Sequence, residues 1–276
     1  MHVSKLGIPI VLFWVIVFIL NACAKEESTI APAFIKQFQI SSTNTGTTYP
    51  IYVVLPSDYE EGKQFKTIYV LDGDGGSKKE KTYQLVGRLV EEAKTQTQKT
   101  GAIVVAIGNA GERIRDFTPT SLPSFDDQGG GIEAFTRFIE FELVPKIEKE
   151  FAVYTHTESR AIAGHSLGGS FGAYLFAKHP NLFSNYLLLS PALWWDDGVT
   201  LRYELENRSN NAPQKTLVYV GCGELEEAIT ILAEEWYLRL QKYYPNCKST
   251  FVKIRNTSHN SSMVENFEQA IHFYYR

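Results

Sequence analysis

The segment Arg160-Ala-Ile-Ala-Gly-His-Ser-Leu-Gly-Gly169 constrains the fold more than any other part of this chain. A short apolar run enters a turn flanked by glycines, and Gly169-Ser-Phe-Gly-Ala-Tyr-Leu-Phe-Ala-Lys178 then continues at helical period. The sequence therefore demands a strand, a sharp turn and a helix in immediate succession. Gly164 and Gly168 are the positions where a side chain is expected to clash in that turn.

The same alternation extends over most of the chain. Buried strands are expected at Thr67–Leu71, Ala102–Ile107, Arg160–Gly164, Tyr186–Leu189, Thr216–Val220 and Thr250–Ile254. Helices are expected near Tyr83–Thr95, Ile132–Glu150, Gly169–Lys178, Thr200–Asn207, Glu226–Tyr243 and Met263–Tyr274. Short apolar runs separated by helical segments give a mostly parallel, doubly wound sheet covered on both faces. Ahead of it, Phe34–Ile40 and Tyr49–Leu55 alternate around a Ser/Thr/Asn/Gly stretch, which reads as a hairpin forming an antiparallel edge. Ligands of such sheets bind beyond the carboxyl ends of the strands.

The N-terminus stands apart. Lys5 precedes an apolar run from Leu6 to Leu20 that is interrupted by Pro9 and ends in Leu20-Asn-Ala-Cys23. It is short for a spanning helix, which needs about 20 apolar residues. Charge, apolar run and small-residue site are the order of a signal peptide, and the ending resembles a bacterial lipobox. That resemblance implies cleavage before Cys23 and acylation of Cys23, anchoring the protein to a membrane of the cell envelope. The expected division is a signal over 1–22, a polar tether over 23–33 and one α/β domain over 34–276. With 27 basic and 31 acidic residues, a net charge of −4, nothing favours a nucleic-acid partner. Cys222 and Cys247 are expected as free thiols, since the topology puts them at opposite ends of neighbouring strands and a disulfide needs its Cα atoms within about 7 Å.

A serine hydroxyl in the 160–169 turn needs a neighbouring base to act as a nucleophile. Among six histidines, His259 alone follows the last strand, in the loop before the final helix. With Ser166 as nucleophile it satisfies the order serine, acid, histidine of strand–turn–helix hydrolases. The acid should follow the penultimate strand, where Gly221-Cys-Gly-Glu-Leu-Glu-Glu227 offers Glu224, Glu226 and Glu227. Glu224 sits at the turn and is preferred; Glu226 and Glu227 are expected in the first helical turn, favoured there by the helix dipole. An oxyanion hole needs two backbone N–H groups. Leu167, after the nucleophile, supplies one, and Asp74 in Asp72-Gly-Asp-Gly-Gly76 is expected to supply the other.

These residues carry a resemblance. Tyr69-Val-Leu-Asp-Gly-Asp74, Arg115-Asp-Phe-Thr-Pro119, Gly164-His-Ser-Leu-Gly-Gly169, Ser190-Pro-Ala-Leu-Trp-Trp195, Gly221-Cys-Gly-Glu224 and His259 are similar to the Putative esterase family of the α/β-hydrolase fold. That family includes siderophore (enterobactin-type) esterases, feruloyl esterases and, more distantly, mycolyltransferases. The resemblance implies hydrolysis of a small-molecule or glycan carboxylic ester through an acyl-enzyme, without metal or organic cofactor. It also implies a carboxylate at the end of a G-x-x-E segment as the triad acid, matching Glu224. Arg115, Trp194 and Trp195 are candidate substrate contacts, against a plain salt bridge and plain packing. The alternative is a lipoprotein that binds a ligand on this scaffold without turnover.

Overall fold

A computed structural model describes residues 34–208 and 215–276. The expected signal, Cys23 and the tether lie outside the described residues. The rest forms one eight-stranded sheet in the order β1-β2-β4-β3-β7-β8-β9-β10. Its strands are β1 (Phe34–Ser41), β2 (Thr48–Leu55), β3 (Lys66–Val70), β4 (Ala102–Ile107), β7 (Arg160–His165), β8 (Asn185–Leu189), β9 (Leu217–Gly223) and β10 (Lys248–Ile254). The hairpin β1–β2 is antiparallel and joins β4 antiparallel, whereas β4, β3, β7, β8, β9 and β10 pair in parallel. The mostly parallel sheet with an antiparallel N-terminal edge is therefore the observed architecture.

Strand composition explains why both faces are covered. Every residue of β4 is buried. Ile103, Val105 and Ile107 face one core, while Ala102, Val104 and Ala106 face the other, as the two-residue period of a strand requires. α1 (Thr82–Thr97) and α8 (Met263–Tyr275) close one face with Leu85, Val86, Leu89, Phe267 and Ile271. α5 (Leu167–Lys178) and α7 (Glu227–Tyr243) close the other with Phe171, Phe176 and Trp236.

Three segments differ from the sequence expectation. The expected helix over 132–150 divides into α3 (Ile132–Phe138), a π-turn (Ile139–Leu143) and α4 (Val144–Glu150). Pro145 cannot donate to the carbonyl four residues back, and the wider turn ahead of it accommodates the missing bond. α6 spans Trp195–Asn207, but Asp196, Asp197 and Gly198 have φ of 47°, 49° and 76°, so regular helix starts close to the expected Thr200. Between β4 and α3 lie a helical turn, α2 (Arg113–Phe117), and a two-rung ribbon of β5 (Ser121–Leu122) with β6 (Gln128–Gly129). These pieces are too short to leave a periodic signal.

β9 also runs three residues past the expected Val220, to Gly223, and pairs there with Ile254. Cys222 lies near this end, while Cys247 precedes Lys248, which pairs with Leu217 at the start of β9. Both thiols are free.

Candidate active site

The carboxyl ends of β3, β7, β8, β9 and β10 deliver five loops to one end of the sheet. Ser166 occupies the turn between β7 and α5 with φ 61° and ψ −120°. A side chain held in such a region costs on the order of 1–3 kcal/mol and persists only where its surroundings fix it. Here the Ser166 N–H donates to the Leu189 carbonyl (2.9 Å), and the Ser166 carbonyl accepts from the Ala192 N–H (3.0 Å) and the Ser170 N–H (3.0 Å). A Cβ on Gly164 would lie 2.5 Å from the Gly168 backbone, and one on Gly169 would lie 2.8 Å from the Leu189 oxygen. On Gly168 it would meet Leu71 at 3.4 Å, ordinary contact. Thus Gly164 and Gly169, rather than Gly164 and Gly168, are the sterically required pair.

His259 stands beside this turn. Its ring centroid lies 4.4 Å from that of His165, the neighbour of Ser166, and the His165 Nε2–H donates to the His259 carbonyl (3.0 Å). On the other side, His259 Nδ1 donates to Glu226 Oε2 across 2.6 Å. The Glu226 side chain is only 2% exposed, and Oε1 accepts from the Gly223 N–H (2.5 Å), Ser190 Oγ (2.8 Å) and Ser262 Oγ (3.2 Å). Burial alone would raise the Glu226 carboxyl. Hydrogen bonds from His259, Gly223 and Ser190 outweigh it and hold the group below its ordinary value, so it stays an anion beside the imidazole.

The expected partner of His259 requires a correction. Glu224, the preferred partner, is exposed, and its Oε2 accepts from the Asn256 N–H (2.9 Å). Because β9 persists to Gly223, with the Glu224 N–H still bonded to Ile254, the turn falls at Gly223–Glu226. Glu226 occupies the position just before α7 and is buried, whereas Glu227 begins the helix and is exposed. A Cβ on Gly223 would crowd Glu226 Oε1 at 2.7 Å, so the glycine makes room for the carboxylate.

The loop after β3 supplies the remaining wall. Asp72 adopts φ 52°, and the Gly73 N–H donates to the Ile107 carbonyl (2.8 Å), where a Cβ would strike Ala106 at 2.7 Å. The Asp74 carboxylate accepts from the Asn109 N–H (2.7 Å), fixing the loop against the end of β4. Leu167 is the first residue of α5, so its N–H has no acceptor within the helix. Arg113 Nε donates to both Asp72 oxygens (2.8 and 2.9 Å), and its Nη2 donates to the His165 carbonyl (3.2 Å).

With this geometry in view, a family model described as "Putative esterase" matches residues 42–272. The chain belongs to that family. The ferri-bacillibactin esterase BesA of Bacillus subtilis is 32% identical over 213 residues, 68% of this chain and 69% of that protein. The crystal structure of the BES protein from Bacillus cereus, 29% identical, has a TM-score of 0.77 over 87% of this chain and 94% of that one. The siderophore hydrolase EstA from Aspergillus nidulans, 19% identical, shares the fold with a TM-score of 0.77 over 96% and 99% of the two chains. Family and relatives make this esterase a carboxylic ester hydrolase.

Of the expected substrate contacts, Arg115 is committed elsewhere. Its Nε and Nη2 donate to buried Asp116 (2.8 and 2.7 Å), and Nη2 also donates to the Tyr49 hydroxyl (3.2 Å) and Thr47 Oγ1 (3.0 Å). That is the salt-bridge reading, stitching α2 to the β1–β2 hairpin. Trp195 is 2% exposed and its indole N–H donates to Thr120, so it packs under the loop. Trp194 is 41% exposed and stacks with Phe125, leaving an aromatic surface just past the Ala192 N–H that holds Ser166. Sequence reading missed the parts played by His165, Arg113, Ser190 and Ser262. Only Arg113 gave a signal, standing out with Arg115 as a basic residue near the expected site.

Proposed function

We propose that this esterase is a serine hydrolase in which Ser166 attacks the ester carbonyl and His259 takes its proton. Glu226 holds the imidazole tautomer and stabilises the imidazolium formed during attack. The Leu167 and Asp74 N–H groups face the developing oxyanion. Water then releases the acyl group from Ser166 with His259 again as base. The observation that carries this reading is the 2.6 Å bond from His259 Nδ1 to a buried, ionised Glu226, next to a turn that holds Ser166 at positive φ. A fluorophosphonate probe labels only an activated serine. It should label the wild type and leave Ser166→Ala unlabelled; no labelling of the wild type would favour a non-catalytic ligand-binding protein.

For substrate, a siderophore ester stands first, supported by the names of BesA and EstA, ahead of a feruloyl or acetyl ester of a polysaccharide. Turnover of a ferri-siderophore ester against methyl ferulate and acetylated xylan ranks them. For location, the lipobox sequence supports anchoring of the envelope protein to a membrane through acylated Cys23. Mass spectrometry of the native protein should find Cys23 as an acylated first residue, and an intact Met1 terminus would overturn that.

A further inference from the structure

The segment that follows β8 touches both halves of the site. The Leu189 carbonyl accepts from the Ser166 N–H (2.9 Å), and the Ala192 N–H donates to the Ser166 carbonyl (3.0 Å). Between them Ser190 turns the other way, towards β9. Its N–H donates to the Gly221 carbonyl (2.6 Å) and its Oγ donates to Glu226 Oε1 (2.8 Å). Leu189-Ser-Pro-Ala192 therefore grips the Ser166 turn through its main chain and the Glu226 carboxylate through one side chain.

Ser190 is wholly buried and sits at φ 42°. A left-handed backbone favours glycine, so a side chain kept there calls for a reason. The other donors to Glu226 Oε1 differ from it in kind. Ser262 Oγ stands 3.2 Å from both Glu226 Oε1 and the His259 carbonyl and divides one proton between them. The Gly223 N–H belongs to the same turn as Glu226 and moves with it. Ser190 is the donor that comes from the segment holding Ser166. With Oε1 clamped in this way, Oε2 is left to face His259 Nδ1 at 2.6 Å.

We infer, on the Ser166–His259–Glu226 reading above, that Ser190 is a positioning residue for ester hydrolysis: its hydroxyl ties the Glu226 carboxylate to the segment that fixes the Ser166 turn, and so sets the gap that His259 spans. A carboxylate released at Oε1 can turn about its last bond and presents His259 with a variable partner. The cost then falls on turnover, since Ser190 acts through Glu226 and the substrate is held elsewhere.

Steady-state hydrolysis of p-nitrophenyl butyrate by the full-length protein, together with the rate of fluorophosphonate labelling, tests this. Ser190→Ala should lower kcat about tenfold, short of the ~10²-fold cost of a misplacement of about 1 Å, with KM unchanged and labelling slowed by a similar factor. Ser190→Gly relieves the positive φ but also lacks the hydroxyl; it should melt no lower than Ser190→Ala and show the same loss of kcat. In a Glu226→Gln background, where no anion is left to aim, adding Ser190→Ala should cost less than about twofold more. Normal kcat in Ser190→Gly, a change confined to KM, or losses that multiply in full with Glu226→Gln would each overturn the role of Ser190 alone. Unimpaired turnover by Ser166→Ala or Glu226→Gln would overturn the serine mechanism, and the role of Ser190 with it. Should Ser190→Ala not fold, Ser190→Gly decides.

Discussion

His165 Nε2 donates to the main-chain oxygen of His259 across 3.0 Å, so the residue before Ser166 holds the loop that carries His259. A carbonyl can only accept, which fixes the His165 proton on Nε2. The bond acts on the His259 backbone, while Glu226 acts on its ring. Together they fix position and tautomer separately.

In the proposed mechanism His165 is a positioning residue, and its removal should move His259 relative to Ser166. Misplacement by about 1 Å can cost on the order of 10²-fold in rate. His165→Leu should lower kcat by about that factor with little change in KM. His165→Gln, whose amide N–H reaches where Nε2 stood, should recover most of the loss. Equal kcat for His165→Leu and wild type would remove this role.

The two carboxylates before α7 should separate sharply. In the proposed mechanism Glu226→Gln removes the charge that stabilises the imidazolium and should lower kcat by roughly 10²–10⁴, the upper figure being the loss in a mistuned serine-protease triad. Glu224→Gln touches an exposed side chain bonded to the Asn256 N–H and should stay within about 0.5 kcal/mol in stability, with normal turnover. Steady-state kinetics and thermal melts of both variants check this, and the reverse pattern would return the acid role to Glu224.

The contrast between Glu224 and Glu226 also indicates what the sequence could reveal. The buried runs of β4, β7 and β8 were legible because strands covered on both faces are apolar throughout. Ser166 and His259 followed from where such strands end. The partner of His259 did not, since the Gly221-Cys-Gly223 tail of β9 carries no strand propensity and is held in the ladder by its neighbour β10. A two-residue shift in that turn decides which glutamate points inward. Arg113 and His165 were legible as residues but not as partners, because their bonds join positions 41, 52 and 94 residues apart.

Arg113 ties the β3 loop to the turn, through Asp72 and the His165 carbonyl. Its side chain is 29% exposed and that of Asp72 24%, so the pair lies between an exposed bridge and a buried one. Arg113→Met should cost about 2 kcal/mol and lower kcat/KM about tenfold. With Asp72→Asn added, the losses should combine to less than their sum, since each single change already breaks the pair. Strict additivity in melts and kinetics would mean that the contact couples nothing.

Two groups of the site set its acid stability, with windows that differ. Burial first, and then the neighbouring His259 charge, push the His165 imidazole from 6.5 down to about 4. Below pH 6.5 the unfolded chain takes up a proton that the folded chain does not, so stability falls as pH drops from 6.5 towards 4. The full gap corresponds to at most about 3.4 kcal/mol. For Glu226, burial opposes ionisation but the hydrogen bonds win, and the folded carboxyl titrates below its ordinary 4.5. Its stabilisation is complete above that value and lost as pH falls further. Thermal melts should therefore show wild type losing stability between pH 6.5 and 5 more steeply than His165→Gln. Below pH 4.5 both proteins should decline, and Glu226→Gln should decline less than either. Parallel curves for wild type and His165→Gln between pH 6.5 and 5 would mean that His165 takes up its proton in the folded protein at its ordinary value.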